Sequence, residues 1–232
     1  MVNILIGVSG SVAAIKLTEL VRTLKDGVEN VKIQIVFTPK GKFFITDAQM
    51  LEINSMIEAV HTDEHEWLSW KQKGDKVLHV ELRKWAQILL IAPLSANSMA
   101  KISNGLCDNL LTSVVRAWDP SRRLIVCPAM NTFMWRNKLT SRQLDVIKDV
   151  YNAQVVMPKE DYILACGDIG PGAMAEVSVI VEAVLMSVSY WNNVPVIYRI
   201  RATKISHFEK IYAFFTFRHT NTVLGSCHID RW

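Results

Sequence analysis

This chain predicts an α/β fold, a doubly wound parallel sheet flanked by helices, on three observations. Short apolar runs recur at Val2–Val8, Val31–Phe37, Ala86–Ala92 and Leu124–Cys127. Stretches with helical spacing of apolar residues separate them. Gly, Pro, Ser or Asn punctuate the ends of the runs. Apolar runs without polar alternation are buried on both faces, as in parallel sheets. Strands alternating with helices then require right-handed crossovers.

The elements follow in order. Val2–Val8 meets Ser9-Gly10-Ser11, a tight turn, and a helix runs to about Leu24 with Ile15, Leu17, Leu20, Val21 and Leu24 on one stripe. Val31–Phe37 is the second strand, broken by Thr38-Pro39-Lys40-Gly41, and a helix begins near Phe43. Residues 61–77 are polar and Trp-rich, and Val77–Leu82 reads as a short extended or loop element. After the strand at 86–92, Pro93-Leu94-Ser95-Ala96-Asn97 opens a helix from about Ser98, and Leu106–Trp118 forms another. The strand at 124–127 is followed by a helix over Thr140–Val150, a short strand at Val155–Met157 and a last helix over Glu176–Val188.

Half of the 232 residues are hydrophobic, enough for a large core without disulfides or metal. A net charge of +4, mixed along the chain, is too weak a bias for nucleic-acid binding. Cys107, Cys127, Cys166 and Cys227 are widely spaced, with no CxxC pair, so no metal site or disulfide framework is expected and reduced thiols fit. No secretory leader or membrane span is read, and the expected location is cytoplasmic.

Several segments carry candidate chemistry. Gly7-Val8-Ser9-Gly10-Ser11 is either an ordinary turn or a phosphate cradle offering the hydroxyls of Ser9 and Ser11 and free backbone N–H groups. It is neither a dinucleotide fingerprint nor a Walker loop, which disfavours NAD and ATP. Thr38 and Lys40 are loop residues or the rest of an anion site. His79, between Leu78 and Val80, is a structural histidine or a general base. Cys166 lies in a glycine-rich loop, Leu164-Ala165-Cys166-Gly167-Asp168, and Cys127 lies in a strand. Pro128-Ala129-Met130-Asn131-Thr132-Phe133-Met134-Trp135 ends the strand at 124–127 and sets polar amides at the sheet's carboxyl edge, where open α/β sheets bind ligands. Met130, Met134 and Trp135 can be core residues; Asn131, expected to be buried, needs partners, and its amide suits a carboxylate or a flavin edge.

Five segments together resemble the homo-oligomeric flavin-containing cysteine decarboxylase family. They are Gly7–Ala14, Val77–Ala86, Ala92–Asn97, the octapeptide at 128–135, and Leu164–Asp168 with Gly172–Glu176. The resemblance covers about residues 2–186, and Asp63–Lys71 is similar to the eukaryotic, monofunctional form. Its fold is Rossmann-like or flavodoxin-like. It implies FMN as cofactor, with Gly10, Ser11, Val12 and Thr38 at the phosphate, Ser95, Ala96, Asn97 and Ser98 along the flavin, and Ala129 near the ring. His79 is the implied base, Asn131 and Met134 bind substrate, and Cys166 donates a proton from a flap. The implied reaction converts 4'-phosphopantothenoylcysteine to 4'-phosphopantetheine in coenzyme A biosynthesis. The thiol is oxidised to a thioaldehyde, which serves as the electron sink for loss of CO2, and the enethiolate is re-reduced. A homotrimer with FMN at a subunit interface is implied, with no nucleic-acid or membrane partner.

The chain departs from the family pattern at two places. Tyr162-Ile163 precede the flap where relatives commonly carry basic residues, and residues 187–232 form an atypical tail. Rival readings are a regulatory homologue that inhibits protein phosphatases, a peptidyl-cysteine decarboxylase and an inactive splice form. His79, Asn131 and Cys166 occurring together favour catalysis.

Overall fold

The computed structural model describes residues 1–160, 162–163, 167 and 169–191. Cys166 and the tail from residue 192 lie outside the described residues. The strands are β1 (Val2–Val8), β2 (Val31–Phe37), β3 (Ala59–His61), β4 (Ile88–Leu94), β5 (Arg123–Pro128) and β6 (Gln154–Val155). They form one parallel sheet in the order β3-β2-β1-β4-β5-β6. This is the order of two mononucleotide-binding halves joined at β1 and β4, where chain direction across the sheet reverses.

A 3-10 helix, Val12–Lys16, leads into α1 (Leu17–Gly27). The other helices are α2 (Asp47–Met56), α3 (Asp63–Ser69), α4 (Leu78–Trp85), α5 (Ala96–Ser103), α6 (Leu110–Arg116), α7 (Thr132–Arg136), α8 (Lys138–Tyr151) and α9 (Val177–Trp191). A small antiparallel hairpin pairs β7 (Tyr162–Ile163) with β8 (Ile169–Gly170).

Because successive strand residues point to opposite faces, the sheet divides the core in two. Ile4, Ile6, Ile33, Ile35, Leu90 and Ile125 face the core that holds Leu20 and Leu24 of α1 and Ile180 and Val184 of α9. Leu5, Leu89, Ile91, Leu124 and Val126 face the core of Leu82 (α4), Met99 (α5), Leu111 and Val114 (α6) and Ile147 (α8). Each such side chain taken from water contributes about 1.5–3 kcal/mol.

Four local features differ from the sequence expectation. Leu78-His79-Val80-Glu81-Leu82 alternates like a strand, yet it is the start of α4. Leu78, Leu82 and Trp85 share one helical face and pack on the second core, and tertiary burial decides the period. The helix expected from Phe43 begins at Asp47, where Thr46 and Gln49 form a capping box that fixes its first turn. The polar segment after residue 58 contributes β3 and α3, neither of which has an apolar pattern of its own. The last helix continues to Trp191, past the expected boundary at residue 187.

The carboxyl ends of β1 and β4 are joined by Ser9, which is completely buried. Its hydroxyl donates to the Pro93 carbonyl at 2.7 Å and accepts from the Ser95 N–H at 2.7 Å, while its own N–H donates to Pro93 at 3.2 Å. Ser9→Ala leaves the Ser95 N–H and one Pro93 lone pair unsatisfied in a dry environment, and should lower unfolding stability by about 1–3 kcal/mol. Urea denaturation checks this; an unchanged midpoint would mean that the hydroxyl is not needed at the seam.

Candidate active site

The loops leaving β1, β2, β4 and β5 all emerge at one edge of the sheet. They carry Gly10, Ser11 and Val12 after β1, Thr38 after β2, Ser95 to Ser98 after β4, and Ala129 to Asn131 after β5. Gly41 turns the chain after β2 so close to β1 that any side chain there would overlap the Val8 carbonyl.

Ser9 and Ser11 have different tasks. The hydroxyl of Ser9 is occupied at the strand seam, so of the two readings left open for this turn its hydroxyl takes the structural one. Ser11 caps the 3-10 helix, accepting weakly from the Ala13 N–H at 3.4 Å and donating to the Ala129 carbonyl at 3.3 Å. The backbone N–H groups of Gly10 and Val12 have no hydrogen-bond partner among the described residues. Thr38 is buried, and its hydroxyl likewise has none. Ser95 caps α5 through the Ser98 N–H at 3.3 Å, and the two buried hydroxyls are also 3.3 Å apart. Ala96 is half-buried and Asn97 exposed in the first turn of α5.

A cavity of about 270 Å³ opens on the first face of the sheet. Ser11, Val12, Ala129 and Asn131 line it, together with Lys16, Lys159 and Tyr162. Asn131 is exposed, in contrast to the buried amide expected from sequence. Its Oδ1 caps α7 by accepting from the Met134 N–H at 2.8 Å, and its Nδ2 has no partner among the described residues. The cap fixes the amide's orientation and keeps both Nδ2 protons available to an anion. Met134, on α7, is half exposed and is not part of the cavity lining.

Gly172 also lines the cavity, with φ +128° and no room for a side chain against the Met130 carbonyl. The hairpin strands β7 and β8 lie just before it in sequence, and Cys166 falls between them in sequence, outside the described residues. Cys127 is a different kind of thiol: burial in β5 pushes its pKa up and keeps it protonated.

His79 sits in the first turn of α4, on the second face of the sheet, and is not part of the cavity lining. Glu66 of α3 holds it at two points. The carboxylate takes the His79 ring Nδ1 at 2.6 Å and the His79 backbone N–H at 3.0 Å. A carboxylate only accepts, so Nδ1 carries the proton and Nε2 is left as the basic nitrogen. Sequence reading missed Glu66, because a carboxylate thirteen residues before a histidine in a polar segment carries no local signal. It also missed Lys16, Lys159 and Glu176, which meet only through the fold.

Comparison with known proteins agrees with this architecture. The Flavoprotein family model matches residues 1–189. The phosphopantothenoylcysteine decarboxylase of Oryza sativa subsp. japonica is 51% identical over 185 residues, covering 80% of each chain. A solved PPC decarboxylase Cys-to-Ser mutant complexed with pantothenoylaminoethenethiol superposes with a TM-score of 0.74 at 43% identity, over 82% of this chain and 98% of that one. The FMN binding protein AtHal3 superposes with a TM-score of 0.71 at 44% identity, over 83% and 98%. The matched span takes in the whole parallel sheet and every loop at its carboxyl edge, and the chain belongs to the flavoprotein family.

Proposed function

We propose that this chain catalyses the FMN-dependent decarboxylation of 4'-phosphopantothenoylcysteine to 4'-phosphopantetheine, a step of coenzyme A biosynthesis. The observation that carries the reading is the cavity at the carboxyl edge, with the unpaired Nδ2 of Asn131 in its wall. High identity to a phosphopantothenoylcysteine decarboxylase supports it.

The chain's own groups fit FMN. The free N–H groups of Gly10 and Val12 and the unpartnered Thr38 hydroxyl form a donor set for a phosphate, with Ser11, whose hydroxyl proton goes to the Ala129 carbonyl, shaping the turn between them. Ser95, Ala96, Asn97, Ser98 and Ala129 offer a mixed polar and apolar wall on the neighbouring loops. When bound, FMN would supply the two-electron redox chemistry that oxidation of the thiol and re-reduction of the enethiolate require.

Asn131 Nδ2 donates to the substrate carboxylate and aims the bond that breaks, with Met134 against the chain beyond it. His79 takes the thiol proton on Nε2, and Glu66 stabilises the imidazolium through Nδ1–H. Cys166 supplies the proton that the product gains at carbon. Within one copy His79 and the cavity lie on opposite faces of the sheet, and α3 exposes Trp67 and Leu68 beside Glu66. These facts support a homotrimer in which His79 of one copy serves the cavity of the next. Light scattering should then give a mass of about three times 26.3 kDa, and a monomer that turns over would exclude this arrangement. The cytoplasm, as a reducing compartment, is the setting that keeps the substrate thiol and Cys166 reduced.

Mass spectrometry of products from FMN-supplemented protein should show 4'-phosphopantetheine; intact substrate would refute the reading. Cys166→Ser should stall at the oxidised enethiol, and normal product from it would remove Cys166 from the mechanism. His79→Asn should keep FMN and lose turnover by about 10²–10⁴-fold.

Glu66→Gln should lower kcat by roughly 10–100-fold, because the ring loses the carboxylate that fixes its orientation. Glu66→Asp should restore part of the rate. The ¹⁵N shifts of the His79 ring report whether the Nδ1–H tautomer is lost in Glu66→Gln. An unaltered tautomer with an unchanged rate would mean that Glu66 only holds the helix.

A further inference from the structure

The cavity wall carries two ammonium groups that the reaction just described does not use. Lys16, at the end of the 3-10 helix, lies 3.2 Å from Glu176 Oε2, and Lys159 Nζ contacts Oε1 of the same carboxylate. The Lys159 ammonium also sits 3.9 Å from the centre of the Tyr162 ring. Both lysines and Tyr162 line the cavity; Glu176 does not. The side chains of Lys159 and Lys16 are 16% and 25% exposed, against 51% for Glu176. The positive charge is therefore presented inward, and the carboxylate that balances it is hydrated from outside. The Glu19 carboxylate of α1, which also acts on Lys159, is not in the lining either.

An ammonium has three donors. One Lys159 N–H meets Glu176 and the ring face of Tyr162 takes the cation from another side, which leaves donor capacity toward the cavity. Partial burial, and then the neighbouring Lys16, lower the pKa of Lys159. An anion between the two ammoniums relieves both effects. Glu176 is half exposed, so water can take over its solvation when such an anion arrives. The same cavity holds Asn131, already assigned to a carboxylate, so its ligand has anionic groups at two points.

We propose that Lys159, with Lys16, seats the phosphate monoester of the substrate and makes this site selective for the phosphorylated compound. The choice of ligand rests on the decarboxylase reading; the anion seat itself rests on the lysines. A phosphate monoester is also present in FMN, and the two sources separate experimentally.

Calorimetric titration of FMN-loaded protein with 4'-phosphopantetheine and with pantetheine tests the seat without turnover. The phosphorylated compound should bind about 10–100-fold tighter, the scale of charge-assisted hydrogen bonds. Lys159→Ala should cut that ratio to within about threefold, and Lys159→Arg should keep most of it. Lys16→Ala lies on a different element and should also lower the ratio, which guards against local disruption of the hairpin. The FMN-to-riboflavin affinity ratio of the apoprotein should be the same in Lys159→Ala and wild type. The proposal is overturned if wild type shows no preference, if Lys159→Ala keeps it, or if the FMN ratio falls instead. Wild type that discriminates but releases no CO2 would retain the seat and remove the decarboxylase reading. Turnover with an undiminished ratio in Lys159→Ala would do the reverse.

Discussion

The hydroxyl of Ser9 is the constraint on which the site depends. At the point where a doubly wound sheet reverses, adjacent strands send their loops to opposite faces, and the gap between those loops is where a ligand enters. Nothing in strand pairing alone holds that gap at a fixed width, because the ladder between β1 and β4 ends at Gly7 and Ile91. Ser9 extends the connection beyond it with a buried donor and acceptor, each at 2.7 Å. The same bonds place Ser95 to cap α5, and the backbone N–H groups of Gly10 and Val12 beside the seam have no partner among the described residues. One side chain thereby ties together the two loops proposed to hold the phosphate.

The sheet then governs what one copy of the chain can do. Side-chain alternation assigns the cavity to the face covered by α1 and α9, and assigns α4 with His79 to the other face. Both lie toward the carboxyl edge, because α4 runs back antiparallel to β4 and starts at that end. The proposed base and the cavity therefore lie on different faces of one subunit, which is the arrangement that the proposed trimer would bring together. Glu66 holds His79 through ring and backbone at once, so the imidazole is oriented within its own subunit. Such preorganisation lets an interface complete the site without also having to build its acid–base group.

The strands, the helices that cover them and the loops at the carboxyl edge were legible because each is a local pattern: an apolar run, a spacing of 3.6, or a short motif at a strand end. Leu78 to Leu82 misled because five residues fit an alternating pattern as well as a helical one, and only the position of Trp85 on the Leu82 face decides between them. The three-residue edge strand β3 has no fully buried side chain to betray it. Ser9 and Ser11 look equivalent in sequence, and burial alone separates a structural hydroxyl from one at the cavity. The Lys16–Glu176 pair joins residues 160 positions apart, beyond any reading of spacing.

Asn131 shows how few groups the site needs. A helix N-cap requires one acceptor, and an amide has an acceptor and two donors on opposite branches of a rigid plane. Engaging Oδ1 with the Met134 N–H fixes that plane, so Nδ2 points with an accuracy that a free surface side chain lacks. An aspartate would cap the helix equally well but present a negative oxygen to a carboxylate, and a serine would cap it with no second branch at all. The lysines act differently. Their long stems and point charges do not impose a direction, but they can follow a phosphate over a range of positions while Tyr162 and Glu176 limit their excursion. In the proposed reaction a directional donor at the carbon to be cleaved and adaptable cations at the distant anion would divide the work in the way the chemistry requires: geometry matters at the bond that breaks, and charge suffices where the ligand is only held.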